Sequence, residues 1–130
     1  MKRGFVCGAF DLLHAGHVHI LRKCKERCDY LLVGLHVDPS VERKGKNKPV
    51  ETILERQIKL RACKYVDGVI VYGRENELTI MKELLDLDVR FLGTDYKDSD
   101  KPITDMGIPI EYVESVDIHT TGLRKRIKEL

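Results

Sequence analysis

The chain has 130 residues, of which 42% are hydrophobic and 34% are charged, and its formal net charge is +2. A chain of this length fits a single domain, residues 1–130, around one hydrophobic core. The small net charge offers no general attraction to nucleic acids or membranes, so we expect neither as a partner. No apolar run has the length of a signal peptide or a transmembrane helix, which predicts a cytoplasmic protein with its four cysteines as free thiols.

Apolar runs alternate with amphipathic stretches along the chain. The predicted strands cover residues 5–7, 29–35, 66–72, 89–92 and 108–113, and the predicted helices cover 16–28, 53–63, 77–85 and the end of the chain from Thr120 or Thr121. Thr52 is the predicted N-cap of the second helix, with Glu55 completing a capping box. Strands that alternate with helices predict an α/β fold with a five-stranded parallel sheet covered by helices on both faces. Ligands bind such sheets at the carboxyl ends of the strands.

The loop between the first strand and the first helix reads GAFDLLHAGH and covers residues 8–17. It places two histidines, His14 and His17, around Gly16 at the start of a helix. Unpaired backbone N–H groups and a partial positive charge at a helix N-terminus favour an anion. Imidazoles at this point can donate to phosphate oxygens, so the loop predicts a phosphate site. A zinc site that also uses His19 is the alternative, but it needs further ligands.

A basic loop with the sequence RKGKNK covers residues 43–48, after the second predicted strand. Gly45 makes this loop pliable, and the alternating Lys44 and Lys46 can reach two different phosphates. Arg56, on the helix that follows, is a further candidate for a phosphate contact, and a surface ion pair is its alternative role.

The H-x-G-H turn resembles the signature of the nucleotidyltransferase superfamily. The stretch GAFDLLHAGH is similar to the cytidylyltransferases related to glycerol-3-phosphate cytidylyltransferase, and the similarity extends to the two loop lysines and to residues 65–67 and 93–95. The resemblance implies a Rossmann-like fold of the nucleotidyltransferase type. It also implies an enzyme that transfers CMP from CTP, with Mg²⁺, to a small phosphorylated alcohol or sugar and releases pyrophosphate. A homodimer that uses the Tyr65-Val66-Asp67 region is expected as well.

Site residues follow from the same resemblance, position by position. The implied catalytic residues are His14, His17 and Lys46. The two histidines and Lys46 are also implied to bind the nucleotide, together with Ala9, Phe10, Asp11, Asp95, His119, Thr120 and Thr121. The resemblance assigns Lys44 and Asp38 to the acceptor, and Arg56 and Arg74 are added to this group as nearby basic candidates. No metal ligand is assigned to the protein, because the triphosphate carries the Mg²⁺.

The sequence departs from the family pattern in two regions, the C-terminal signature and position 78. The C-terminal signature R-T-E-G-I-S-T-T corresponds here to ESVDIHTT, residues 114–121, so Glu114 stands in place of a phosphate-binding arginine. Leu78 stands where glycerol-3-phosphate enzymes have a lysine, which leaves Arg74 as the nearest basic residue. Two alternatives therefore stay open: an adenylyltransferase of the FAD synthetase or heptose-phosphate type that uses ATP, and a nucleotide-binding module without catalysis.

Overall fold

The computed structural model describes residues 1–97, 103–116 and 120–130, without the side chain of Thr120. This part of the chain forms one five-stranded sheet and four α-helices. The strands are β1 (Arg3–Gly8), β2 (Tyr30–His36), β3 (Gly68–Tyr72), β4 (Val89–Gly93) and β5 (Ile110–Val113). The helices are α1 (Ala15–Lys25), α2 (Ile53–Ala62), α3 (Leu78–Leu85) and α4 (Thr120–Lys128). The predicted α/β class is confirmed.

Strand β1 lies at the centre of the sheet, whose order is β3-β2-β1-β4-β5. Every neighbouring pair is parallel. The chain runs outward from β1 to β3, then crosses back to β4 on the other side of β1. Since the strand order reverses between β1 and β4, the loops after these two strands diverge and leave a crevice at their carboxyl ends.

The two faces of the sheet bury different sets of side chains. On one face Val6, Val33 and Phe91 pack with Leu21 of α1 and Leu60 of α2. On the other face the cluster is formed around α3 by Phe5, Leu32, Tyr72, Leu78 and Met81. Complete burial of a leucine or phenylalanine side chain is worth about 1.5–3 kcal/mol, so both helical layers hold the sheet rigidly beneath the crevice.

Helix α2 begins as the sequence predicts. The Thr52 side chain accepts a hydrogen bond from the Glu55 amide, and the Glu55 carboxylate accepts one from the Thr52 amide. This capping box satisfies two backbone donors at the helix start. Among the described residues, no helix combines the length and the apolar character needed to span a bilayer.

Candidate active site

The loop from β1 to α1 has a strained backbone. Phe10 and Leu12 have φ angles of 49° and 51°, in the left-handed region that side-chain-bearing residues rarely adopt. The segment before α2 holds this conformation. The Asp11 carboxylate accepts hydrogen bonds from the Val50 and Glu51 amides at 2.8 and 2.9 Å, and the Glu51 carboxylate accepts one from the Leu12 amide at 2.6 Å. Strain that neighbouring segments maintain in this way is typical of functional loops.

The two histidines of the H-x-G-H turn cap helix α1 with their ring nitrogens. His14 Nδ1 accepts a hydrogen bond from the Gly16 amide at 3.1 Å, and His17 Nδ1 accepts one from the His14 amide at 3.2 Å. The rings stack with their centroids 3.9 Å apart. A neutral imidazole that accepts at Nδ1 carries its proton on Nε2. The hydrogen-bond pattern therefore gives each histidine an Nε2–H donor, and both side chains line a cavity.

This cavity has a volume of about 400 Å³ and lies at the carboxyl ends of β1 and β4. Its size is that of a small-ligand site. The structure places seven of the sequence-predicted residues around it: Ala9, Phe10, Asp11, His14, His17, Lys46 and Asp95.

Lys46 reaches the cavity because of the loop that carries it. Gly45 has a φ of 84°, a left-handed conformation that favours glycine, and its environment is open. The lysines on either side of this glycine differ in position. Lys46 lines the cavity, whereas Lys44 is exposed and does not line it.

None of the four predicted acceptor residues lines the cavity, and three of them lie on or near the surface. Lys44 and Arg74 are exposed. Asp38 accepts hydrogen bonds from the amide and the hydroxyl of Ser40, so it caps the short 3₁₀ turn Pro39–Val41. The Ser40 hydroxyl, together with the Ser40 amide, lowers the pKa of the Asp38 carboxyl below its usual value.

Arg56 requires a correction. Its side chain is buried, with 2% of the residue exposed, and it does not line the cavity. Its guanidinium donates to the carbonyls of Ala9, His36, Val37 and Glu51. The sequence predicted Arg56 as a substrate ligand, but these backbone carbonyls take four of its five N–H donors. Arg56 instead ties together the ends of β1 and β2 and the start of α2.

The C-terminal signature is described in part. His119 lies outside the described residues, as does the side chain of Thr120. Thr121 is exposed in the first turn of α4. Glu114 is exposed and does not line the cavity, whereas its neighbours Ser115 and Val116 do.

Arg124 of α4 also lines the cavity. Its guanidinium lies 2.6 Å from the Asp11 carboxylate. Burial acts to raise the pKa of Asp11, but the Glu51 and Val50 amides and Arg124 outweigh it, so the pKa of this carboxyl lies below its usual value. A charged Asp11 thus joins α4 to the H-x-G-H turn.

A group of polar residues in the lining was missed by the sequence interpretation: Cys7, His36, Arg43, Tyr72, Glu75 and Arg90. Two of them carried a visible signal. His36 ends the apolar run of β2, and Arg90 interrupts the apolar run of β4. A polar side chain at such a place in a buried parallel strand is unusual.

No three His, Cys, Asp or Glu side chains converge as a metal site within residues 1–97, 103–116 and 120–130. All four cysteines are free thiols.

Comparison with known proteins identifies the family of this chain. The sequence profile of the cytidylyltransferase-like family matches residues 5–126. The chain belongs to this family. It is therefore a member of the nucleotidyltransferase superfamily, as its H-x-G-H turn predicts.

Individual relatives carry different names. The chain is 35% identical over 127 residues to the bifunctional protein HldE of Campylobacter curvus, covering 96% of this chain and 27% of that protein. It is 50% identical over 68 residues to an ethanolamine-phosphate cytidylyltransferase of Arabidopsis thaliana, covering 52% of this chain and 16% of that protein. The chain thus spans about a quarter or less of the length of these curated relatives.

A solved structure is similar over nearly its whole length. The crystal structure of a lipopolysaccharide core biosynthesis protein from Thermoplasma volcanium GSS1 superposes with a TM-score of 0.65 and 30% identity. The match covers 92% of this chain and 99% of that one. The two proteins therefore share the parallel Rossmann-like fold.

Proposed function

We propose that this chain transfers a nucleotidyl group, CMP from CTP, to the phosphate of a small phosphorylated alcohol or sugar and releases pyrophosphate. The observation that carries the proposal is the pair of stacked histidines at the start of α1. Their Nδ1 atoms accept from the backbone, so each ring carries its proton on Nε2, beside the positive end of a helix dipole. This arrangement favours a phosphate group.

The reaction needs little covalent help from the protein. An oxygen of the acceptor phosphate attacks the α-phosphorus of the nucleotide, a new P–O bond forms, and the bond to the β-phosphate oxygen breaks. Pyrophosphate takes the electron pair of the broken bond. Because a phosphate monoester is already ionised near neutral pH, no general base is required. Catalysis then depends on positioning and on donors for the charge that develops on the transferred group.

The proposed roles follow from position in the cavity. His14 and His17 donate to the α-phosphate, and the backbone N–H groups at the start of α1 add to their effect. Lys46 enters from the loop after β2 and binds the outer phosphates. Ala9, Phe10 and Asp95 lie beside the nucleotide, and Arg124 supplies the cation that Glu114 does not. For His119, Thr120 and Thr121 the nucleotide role stays a prediction from the sequence.

Mg²⁺ fits this site as a companion of the triphosphate. Mg²⁺ keeps several waters and is commonly bound through substrate phosphates. Two carboxylates of the lining, Asp11 and Glu75, already pair with Arg124 and Arg43. The ion would screen the charge of the triphosphate when bound.

The names of the relatives do not identify the nucleotide base that this chain uses. One relative is a cytidylyltransferase, and the other is called only a bifunctional protein. ATP, used by the similar adenylyltransferases, is therefore the alternative. The test is the melting temperature of the protein with Mg²⁺ and each of CTP, ATP, GTP and UTP, because a ligand that binds only the folded state raises it. CTP is expected to give the largest shift, and a shift with ATP alone would change the assignment.

Pyrophosphate release with an acceptor separates an enzyme from a binding module. Stabilisation by a nucleotide without pyrophosphate release in the presence of any phosphorylated acceptor would favour the module.

The expected homodimer stays a prediction. Asp67 of the Tyr65-Val66-Asp67 region makes an ion pair with Lys25 of the same chain at 2.6 Å.

A further inference from the structure

One part of the cavity is lined by residues that have no proposed role in binding the nucleotide. It lies on the α3 side of the sheet and is lined by Cys7, His36, Tyr72, Glu75, Arg90 and, from the basic loop, Arg43. We call it the α3-side pocket. Tyr72 belongs to the hydrophobic cluster on this face, and Cys7 packs against it. The pocket therefore begins where that cluster ends, beside β1 and the H-x-G-H turn.

The carboxylate of the α3-side pocket is already engaged on both oxygens. Glu75 Oε1 lies 3.1 Å from Arg43 Nη2 and 3.9 Å from His36 Nδ1. Glu75 Oε2 accepts a hydrogen bond from the Thr104 hydroxyl at 2.9 Å. A cationic ligand would have to displace one of these partners.

The charge of the pocket is positive. Arg43 and Arg90 contribute two guanidinium groups against one carboxylate, and Arg90 is 4% exposed. Its Nη atoms donate to the Thr104 carbonyl and to the Cys7 sulfur. Like charges that share a poorly solvated pocket repel, so an ammonium group is disfavoured here.

Two buried polar atoms of this pocket lack hydrogen-bond partners. Within the part of the chain that the structure describes, His36 Nε2 and Arg90 Nε are buried without a hydrogen-bond partner. A buried polar atom without a partner is unfavourable. Since both side chains line the cavity, a hydroxyl-rich ligand can serve both atoms because a hydroxyl donates and accepts, whereas an ammonium group only donates and cannot serve Arg90 Nε. The Tyr72 ring, stacked on His36 with centroids 4.6 Å apart, forms a flat wall beside them.

We infer that the α3-side pocket binds the body of the acceptor, and that this acceptor is a hydroxyl-rich phosphate ester rather than a phosphorylated amino alcohol. The inference rests on the proposed transfer to a phosphorylated acceptor. His36 is then a specificity-determining residue that reads an acceptor hydroxyl, and Arg43 keeps Glu75 from attracting an amine.

The experiment measures pyrophosphate release with the nucleotide that stabilises the protein. Two groups of acceptors are compared. The hydroxyl-rich group contains glycerol 3-phosphate and a set of pentose, hexose and heptose phosphates, and the amine group contains phosphoethanolamine and phosphocholine. At least one hydroxyl-rich acceptor is expected to exceed both amines in kcat/KM by about 100-fold or more. An amine that matches or exceeds every hydroxyl-rich acceptor overturns the inference. If none of these acceptors supports pyrophosphate release, the proposed transfer is contradicted, and the inference with it.

Two variants locate the discrimination. In His36→Phe the stack on Tyr72 is kept and the polar ring nitrogens are lost, so the acceptor KM should rise about tenfold, with an unchanged nucleotide Kd. His19→Phe, outside the cavity lining, is the matched control and should leave both constants unchanged. Arg43→Gln should raise the ratio of amine to hydroxyl-rich kcat/KM about tenfold, because Glu75 loses its partner. An unchanged acceptor KM in His36→Phe, or an unchanged ratio in Arg43→Gln, counts against the assignment.

Discussion

Arg56 offers a sharp test of whether a buried cation organises this site or binds its substrate. Arg56→Met removes the charge and keeps the apolar stem, while Arg56→Lys keeps a charge and loses the planar group of donors. Arg61→Met, an exposed arginine on the same helix, is the matched control.

The size of the effect follows from the four carbonyls that Arg56 holds. The His36 carbonyl is in a buried bond, and its loss is worth about 2 kcal/mol. The other three bonds are part-buried. Their carbonyls regain water in the variant, so we count about 0.5 kcal/mol for each. The free energy of unfolding should therefore fall by about 3–4 kcal/mol, which lowers the melting temperature by roughly 10–15 °C in a domain of this size.

Urea and thermal unfolding measure this change, and nucleotide-dependent turnover is followed on the protein that stays folded. Arg56→Lys should recover only a small part of the loss, because an ammonium cannot span carbonyls on three separate segments. A melting temperature for Arg56→Met within about 2 °C of that of Arg61→Met, with an increased KM for either substrate, would refute the positioning role.

Other variants test the remaining contacts. Thr52→Ala removes the N-cap of α2 and should lower the free energy of unfolding by about 1 kcal/mol in urea titrations. The pKa of Asp11 is lowered in the folded protein, so its contribution to stability is present above the unfolded pKa and is lost as the pH falls through the folded pKa. Asp11→Asn should therefore flatten the acid limb of a curve of unfolding free energy against pH. An unaltered acid limb would contradict this. Arg124→Ala should weaken nucleotide binding about tenfold while Lys128→Ala on the same helix does not, as measured by titration calorimetry. Lys46→Ala should raise the nucleotide KM with little change in kcat if the lysine binds ground and transition states alike.

Local patterns in the sequence predict the fold well because each element carries its own signals. The apolar run of β2, for example, is buried from Leu31 to His36. The buried face of α1 is harder to read from the sequence, since Val18 is 37% exposed while Cys24 is fully buried. Cysteine is a small apolar group whose burial a hydrophobic pattern detects poorly.

The candidate site could be predicted where residues are adjacent in sequence, as in the H-x-G-H turn. Contacts between distant segments could not, because nothing local shows that Arg124 reaches Asp11, 113 positions away, or that Arg43 pairs with Glu75. A buried arginine such as Arg56 has the same local sequence signal as a phosphate ligand. Only the packing of three segments around it decides between the two roles.

The most direct test of nucleotidyl transfer is a single-turnover reaction with nucleotide labelled at the α-phosphate, comparing the wild-type protein with His17→Ala. The label should pass to the acceptor in step with pyrophosphate release, and His17→Ala should slow this transfer by about 100-fold or more with its nucleotide Kd nearly unchanged. Label that stays in the nucleotide with the wild-type protein, or transfer at an equal rate by His17→Ala, would contradict the account.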